Sequence, residues 1–151
     1  MRLLGIVGVD DTWSAFWATA REEAYREGTV LNATTVPDDR PISAEEAALV
    51  RWLLLNASMG GDWSDLAGSV DDLRVVGRCS CGCPSIDFIA DGQSSGAFPV
   101  ASGYGTSADG VVMGVIVWER GGVVSGLEFC EFDDPVRALP LADTLTMMAP
   151  F

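Results

Sequence analysis

Two apolar runs that meet at Gly121-Gly122 constrain this chain more than any other feature. The first, residues 111 to 119, is apolar at odd positions (Val111, Met113, Val115, Val117) and at even ones (Val112, Ile116, Trp118). A strand covered on both faces has this composition, so the run belongs inside a sheet. The second, residues 123 to 132, alternates: Leu127 and Phe129 are separated by Glu128 and Cys130, as in a strand covered on one face. Paired glycines permit the tight reversal between them. An antiparallel hairpin at the heart of a sheet is therefore expected.

The preceding residues carry helical signals. Ser43-Ala44-Glu45-Glu46 fits a capping box, in which the serine hydroxyl covers a free N–H and Glu46 reaches back. The helix it opens is expected to run to about Asn56, deeply buried, because its apolar positions are nearly continuous from Ala47 to Leu55. Residues 62 to 73 predict a short helix with Trp63, Leu66 and Val70 facing inward. Nearer the start, residues 3 to 9 suit a short strand. Asp10 or Asp11 then caps a helix to about Glu27, with Trp13, Phe16, Trp17, Ala20 and Ala24 on one stripe. Residues 29 to 42, with Pro37 and Pro41, form a polar connection.

After the helices the pattern changes. Arg74 to Cys79 and Ser85 to Ala90 are expected strands around a Cys/Gly/Pro turn, and Asp91-Gly92 signals a tight turn. Residues 92 to 110 are rich in Gly and Ser, with Phe98, Val100 and Tyr104 as anchors, and the segment after Pro135 is mostly irregular. Helices followed by strands imply an α+β fold, its N-terminal helices packed on one face of a mainly antiparallel sheet. No repeat or linker divides the 151 residues, so one domain is expected, with residues 1–42 a helical extension and 43–138 the core.

The net charge is −13, from 22 acidic and 9 basic residues, every basic one an arginine. Such a chain repels phosphate backbones and anionic membranes, so neither nucleic acid nor membrane is an expected partner. A protein with a basic surface is the natural complement, although high net charge also serves solubility alone. No uninterrupted apolar stretch reaches membrane-spanning length. Asp10-Asp11 interrupts what would otherwise resemble a signal peptide between Leu3 and Ala20. Three of the four cysteines crowd into five residues, unlike a secreted disulfide framework. A cytoplasmic location is expected.

Cys79, Cys81 and Cys83, with Cys130 as a fourth, are the candidate metal ligands. Alternate residues of a strand lie about 6.6 Å apart on one face. Two thiolates on one zinc sit only about 3.8 Å apart, with bonds of about 2.3 Å. Ligation would require the backbone to fold sharply near Gly82, which the following Gly and Pro permit; the spacing otherwise predicts no bound metal and at least two of the three thiols packed inside. The chain has no histidine to pair with a nucleophilic cysteine. The densest carboxylates, Asp71-Asp72 and Glu131 with Asp133-Asp134, stand at element ends, where acids cap or are solvated. No catalytic residue and no cofactor are expected.

Residues 74 to 88, with the run Arg78-Cys79-Ser80-Cys81-Gly82-Cys83-Pro84-Ser85-Ile86-Asp87-Phe88, resemble a motif of small uncharacterised bacterial proteins. Residues 110 to 133, with Gly114-Val115-Ile116-Val117, Gly122, Ser125 and Leu127-Glu128, resemble a second motif of the same proteins. With the helix from Ser43, the resemblance spans residues 43 to 138. It implies an immunity protein of a bacterial toxin system, acting by binding and blocking its partner, and carries over no catalytic residue. The expected partner-binding residues are Asp62, Trp63, Asp65, Asp71, Asp72, Glu128, Glu131, Asp133 and Asp134. The competing readings are a small metal- or thiol-dependent enzyme built on the cysteine cluster and an anti-defence protein of a mobile element.

Overall fold

The computed structural model describes residues 35–57, 62–93 and 96–147; the strand and helix expected within residues 3 to 27 lie outside them. In chain order the elements are β1 (Thr35–Pro41), α1 (Ala44–Leu55), α2 (Ser64–Gly68), a 3-10 turn (Val70–Asp72), β2 (Arg74–Cys79), β3 (Ile86–Asp87), β4 (Phe98–Thr106), β5 (Val112–Arg120), β6 (Val123–Glu131), a second 3-10 turn (Ala142–Thr144) and β7 (Thr146–Met147). The strands form one sheet in the order β1-β2-β3-β6-β5-β4-β7. Every neighbouring pair is antiparallel. The fold is mixed α+β.

The β5–β6 hairpin stands where the apolar pattern places it, pairing Met113 with Glu131 at one end and Arg120 with Val123 at the other. Gly121 and Gly122 make the reversal at φ 63° and 88°. β5 has a strand on each side. Met113, Val115 and Val117 enter the main core from one face, while Ile116 and Trp118 are buried on the other.

The capping box opens α1: Glu46 N–H donates to Ser43 Oγ at 3.1 Å, and Ser43 N–H donates to Glu46 Oε1 at 2.9 Å. The carboxylate also accepts two bonds from the Arg40 guanidinium, at 2.9 and 2.8 Å, tying the end of β1 to the start of the helix. Val50 and Leu53 are completely buried. A Cβ placed on Gly103 would lie 3.3 Å from Leu53 Cδ2, so the helix approaches β4 where that strand has no side chain.

Three segments differ from expectation. The described part of the polar connection, residues 35–41, is strand β1, paired with β2 across an irregularity between Pro37 and Arg40. Among the described residues β1 ends the sheet order, and an edge strand tolerates prolines because one of its sides donates no ladder bonds. The Gly/Ser-rich region contains the nine-residue strand β4. Val100 is an anchor at 5% exposure, but Phe98 and Tyr104 are 65% and 40% exposed. The tail adds β7 beside β4 and buries Val136 completely.

β4 does not lie next to β3 in the sheet; the chain passes β6 and β5 before entering it. Polar contacts hold this connection to β3, β5 and β6. Ser125 Oγ donates to Gly92 O at 2.6 Å, and Phe88 N–H donates to Ser125 O at 2.9 Å. Gln93 Nε2 donates to Ile86 O and Asp87 Oδ1. Arg120 donates to the carbonyls of Ala90 and Asp91.

Candidate functional site

β2 ends at Cys79, and the next residues turn instead of extending. Cys79 N–H donates to Ser85 O at 3.1 Å, closing the loop, and Gly82 sits at φ 92°, which suits a residue without a side chain. The strand spacing used to argue against metal ligation therefore does not apply beyond Cys79. The Sγ atoms of Cys79, Cys81 and Cys83 all lie within 4.8 Å of one another. Cys79 and Cys81 sulfurs are 2.8 Å apart, and no disulfide joins them. The expected burial is also corrected: Cys81 is exposed, and Cys79 and Cys83 are half-buried, because the turn projects beyond the end of its strand.

Polar contacts fix the turn. Cys81 N–H donates to Cys79 Sγ and Cys83 N–H to Cys81 Sγ, each at 3.4 Å. Cys83 Sγ donates to Ser85 Oγ at 3.3 Å, and that buried hydroxyl accepts Phe129 N–H at 2.9 Å, joining the turn to β6. Burial, with help from the Cys81 thiol, pushes Cys79 up to about 12. Burial also opposes ionisation of Cys81, but the Cys79 thiol, the Cys83 N–H and thiol, and the positive charge of Arg137 outweigh it, so this thiol is held below its ordinary value. Cys130 is outside the trio; it lies on β6 opposite Gly114.

The acidic residues fall into two groups by element. Asp62, Asp65, Asp71 and Asp72 are exposed on or beside α2 and the 3-10 turn after it. Asp62 accepts the N–H of Ser64, and its hydrogen bonds to the Ser64 hydroxyl and N–H hold its carboxyl below the usual range. Asp71 is paired with Arg51 at 2.6 Å. Trp63 is half-buried against the core, and its Nε1 finds no hydrogen-bond partner among the described residues. In the second group, Glu131, Asp133 and Asp134 are exposed at the end of β6, with Glu131 3.9 Å from Arg137. Glu128 lies back along the strand, half-buried, and accepts Trp118 Nε1–H at 3.0 Å.

Sequence reasoning missed the apolar surface beside the second group. Gly114 pairs with Tyr104 on β4 and with Cys130 on β6. A Cβ on Gly114 would stand 3.5 Å from Phe132 Cζ, so the phenylalanine ring reaches over the glycine. Val112 shares this sheet face by strand alternation. Phe132, Val112 and Tyr104 are 51%, 46% and 40% exposed. The available sequence signal was Phe132 itself, an aromatic residue set between Glu131 and Asp133.

No helix among the described residues is long and apolar enough to cross a membrane. Comparison of the chain with protein-family models, with curated proteins and with solved structures finds no match in any of the three.

Proposed function

We propose that this chain is a cytoplasmic inhibitor of the immunity type, which binds a basic protein of the bacterial toxin class and blocks it without chemical turnover. One observation carries the reading: Phe132, Tyr104 and Val112 are exposed together, and the exposed acids Glu131, Asp133 and Asp134 stand next to Phe132 in the chain. An aromatic centre that loses water on contact supplies most of the affinity of a protein interface. Acidic groups at its rim, on a chain of net charge −13, speed the encounter with a basic partner. Each exposed ion pair adds only about 0–1 kcal/mol, so the acids act on association and the aromatics on residence time. The class of partner is the one implied by the resemblance of residues 43 to 138 to small uncharacterised bacterial proteins of the immunity type. The acids beside α2 extend the same negative field.

The test is to co-purify the chain with the product of its neighbouring gene and to follow association and dissociation across a salt series. Screening shortens the Debye length from roughly 10 Å at 0.1 M salt to 3 Å at 1 M, so association slows steeply. Asp133→Asn with Asp134→Asn slows association several-fold and leaves dissociation nearly unchanged. Phe132→Ala speeds dissociation by about 30-fold, the equivalent of one strong interface residue. An association rate indifferent to salt and to the paired Asn substitutions rules out steering. Turnover by the isolated chain rules out a purely binding role.

A further inference from the structure

We propose that Cys79, Cys81 and Cys83 form a three-thiolate site for a thiophilic closed-shell metal ion, Cu(I) or Zn(II). The sulfurs lie within 4.8 Å of one another, close to what a shared ion requires. Three bonds of about 2.3 Å in a plane place sulfurs about 4.0 Å apart, and a tetrahedral ion places them about 3.8 Å apart. The Cys79–Cys81 separation of 2.8 Å opens by about 1 Å to reach that spacing, a change that rotation of the exposed Cys81 side chain supplies.

Backbone donors stand ready for thiolate sulfurs at the turn, while burial at Cys79 is offset only once the ion itself is bound. Two backbone N–H groups already point at sulfur, those of Cys81 and Cys83. Such donors offset the negative charge that ligation gathers and fix the ligand orientation. Ser85 lies beside Cys83 and is held by the backbone of β6; on ligation the Cys83 S–H that now donates to Ser85 Oγ is lost, and the serine hydroxyl turns to donate to the thiolate instead. The positive charge of Arg137 adds a smaller contribution that favours ionised Cys81. The cluster contains no imidazole or carboxylate, and an all-sulfur donor set favours Cu(I) or Zn(II) over Mg(II), Ca(II) or Mn(II). On ligation each S–H bond is replaced by a sulfur–metal bond and the protons pass to the buffer, with no change of oxidation state. Cu(I) is satisfied by three sulfurs; Zn(II) takes its fourth ligand from water at the exposed side.

The experiment uses the full chain, reduced and kept free of oxygen. It is titrated separately with Zn(II) and with Cu(I) against a competing chelator, then challenged with an alkylating reagent and mapped by mass spectrometry. Saturation at one ion per chain is expected in at least one arm, with a sulfur-to-metal charge-transfer band when Co(II) stands in for Zn(II). Cys79, Cys81 and Cys83 become protected from alkylation by the ion, whereas reaction at Cys130 does not change. Cys81→Ser weakens binding by roughly 100-fold or more, since even outer-shell changes cost 10–100-fold; Cys130→Ser leaves it intact. An ion excess of about 100 times the dissociation constant raises Tm by roughly 5–10 °C. Saturation with Zn(II) alone or with Cu(I) alone supports the site and fixes its coordination. Absence of saturation in both arms overturns it, as does equal binding by Cys81→Ser. If that variant fails to fold, the protection map on the parent chain decides: protection absent from the trio, or shared with Cys130, overturns the site.

Discussion

Glu46 joins three features at once: it completes the capping box of α1, accepts two bonds from Arg40 and thereby fastens β1 to the helix. Its side chain is 9% exposed and that of Arg40 is 38% exposed. Glu46→Ala loses a capping contribution of about 1 kcal/mol. It also loses charge-assisted hydrogen bonds, discounted to about 1–2 kcal/mol because solvent reaches the arginine. The expected cost is about 2–3 kcal/mol, or roughly 5–10 °C in Tm for a chain of this length. Glu46→Gln keeps an acceptor for Ser43 N–H and removes only the charge, so it costs about half as much. A double-mutant cycle with Arg40→Ala, followed by urea denaturation, gives a coupling of about 1–2 kcal/mol. The pH dependence follows from the carboxyl itself. Burial opposes its ionisation, but the Arg40 and Ser43 contacts outweigh that and lower its folded-state pKa from 4.5. A lowered folded value gives stability that is fully present above the unfolded pKa and lost as pH falls through the folded one. The difference between the parent and Glu46→Gln is therefore constant near neutrality and shrinks below about pH 4.5. A coupling below about 0.5 kcal/mol, or a difference that does not shrink in acid, refutes this account of the clamp.

Leu53→Ala removes a completely buried side chain that rests on Gly103, and a cost of about 2–5 kcal/mol is expected as a lower urea midpoint. Gly82→Ala meets no atom within 4 Å but places a side chain at φ 92°; it costs about 1–2 kcal/mol, seen as a lower Tm, and alkylation of the three neighbouring thiols quickens as the turn loosens.

The parts of the fold that the sequence made legible are those encoded locally. The Ser43–Glu46 signature fixes where α1 begins, and the two apolar runs around Gly121-Gly122 fix the hairpin. The parts it concealed depend on distant neighbours. β1 has prolines and acids because it lies at a sheet edge, so its composition matched a loop. A side chain at position 103 of β4 would stand 2.6 Å from the Thr146 carbonyl oxygen and 3.3 Å from Leu53, and the glycine that fits there weakened the strand signal. β7 has two residues and is defined only by pairing with Gly103 and Tyr104. At the thiol turn, the Cys/Gly/Pro composition marks a reversal but not how tightly it closes, and that closure decides whether the sulfurs converge. The aromatic group beside Asp133 needed the register of three strands to assemble Tyr104, Gly114 and Phe132.

The strand order also sets the sequence of events in folding. The β5–β6 hairpin closes across a two-glycine turn, and β4 joins it from the preceding residues, so this three-stranded unit needs only short loops. In the sheet ladder the β1-β2-β3 unit joins it where Ile86 and Asp87 pair with Leu127 and Gly126, across some 40 intervening residues. Joining points so far apart carries a loop-closure cost that is met only late, and such topologies fold slowly. On a ribosome the earlier strands emerge well before β6 exists to receive them. Until residues 123–131 arrive, β3 offers an unsatisfied edge to whatever is near, so synthesis of the last fifth of the chain governs its exposure to mispairing.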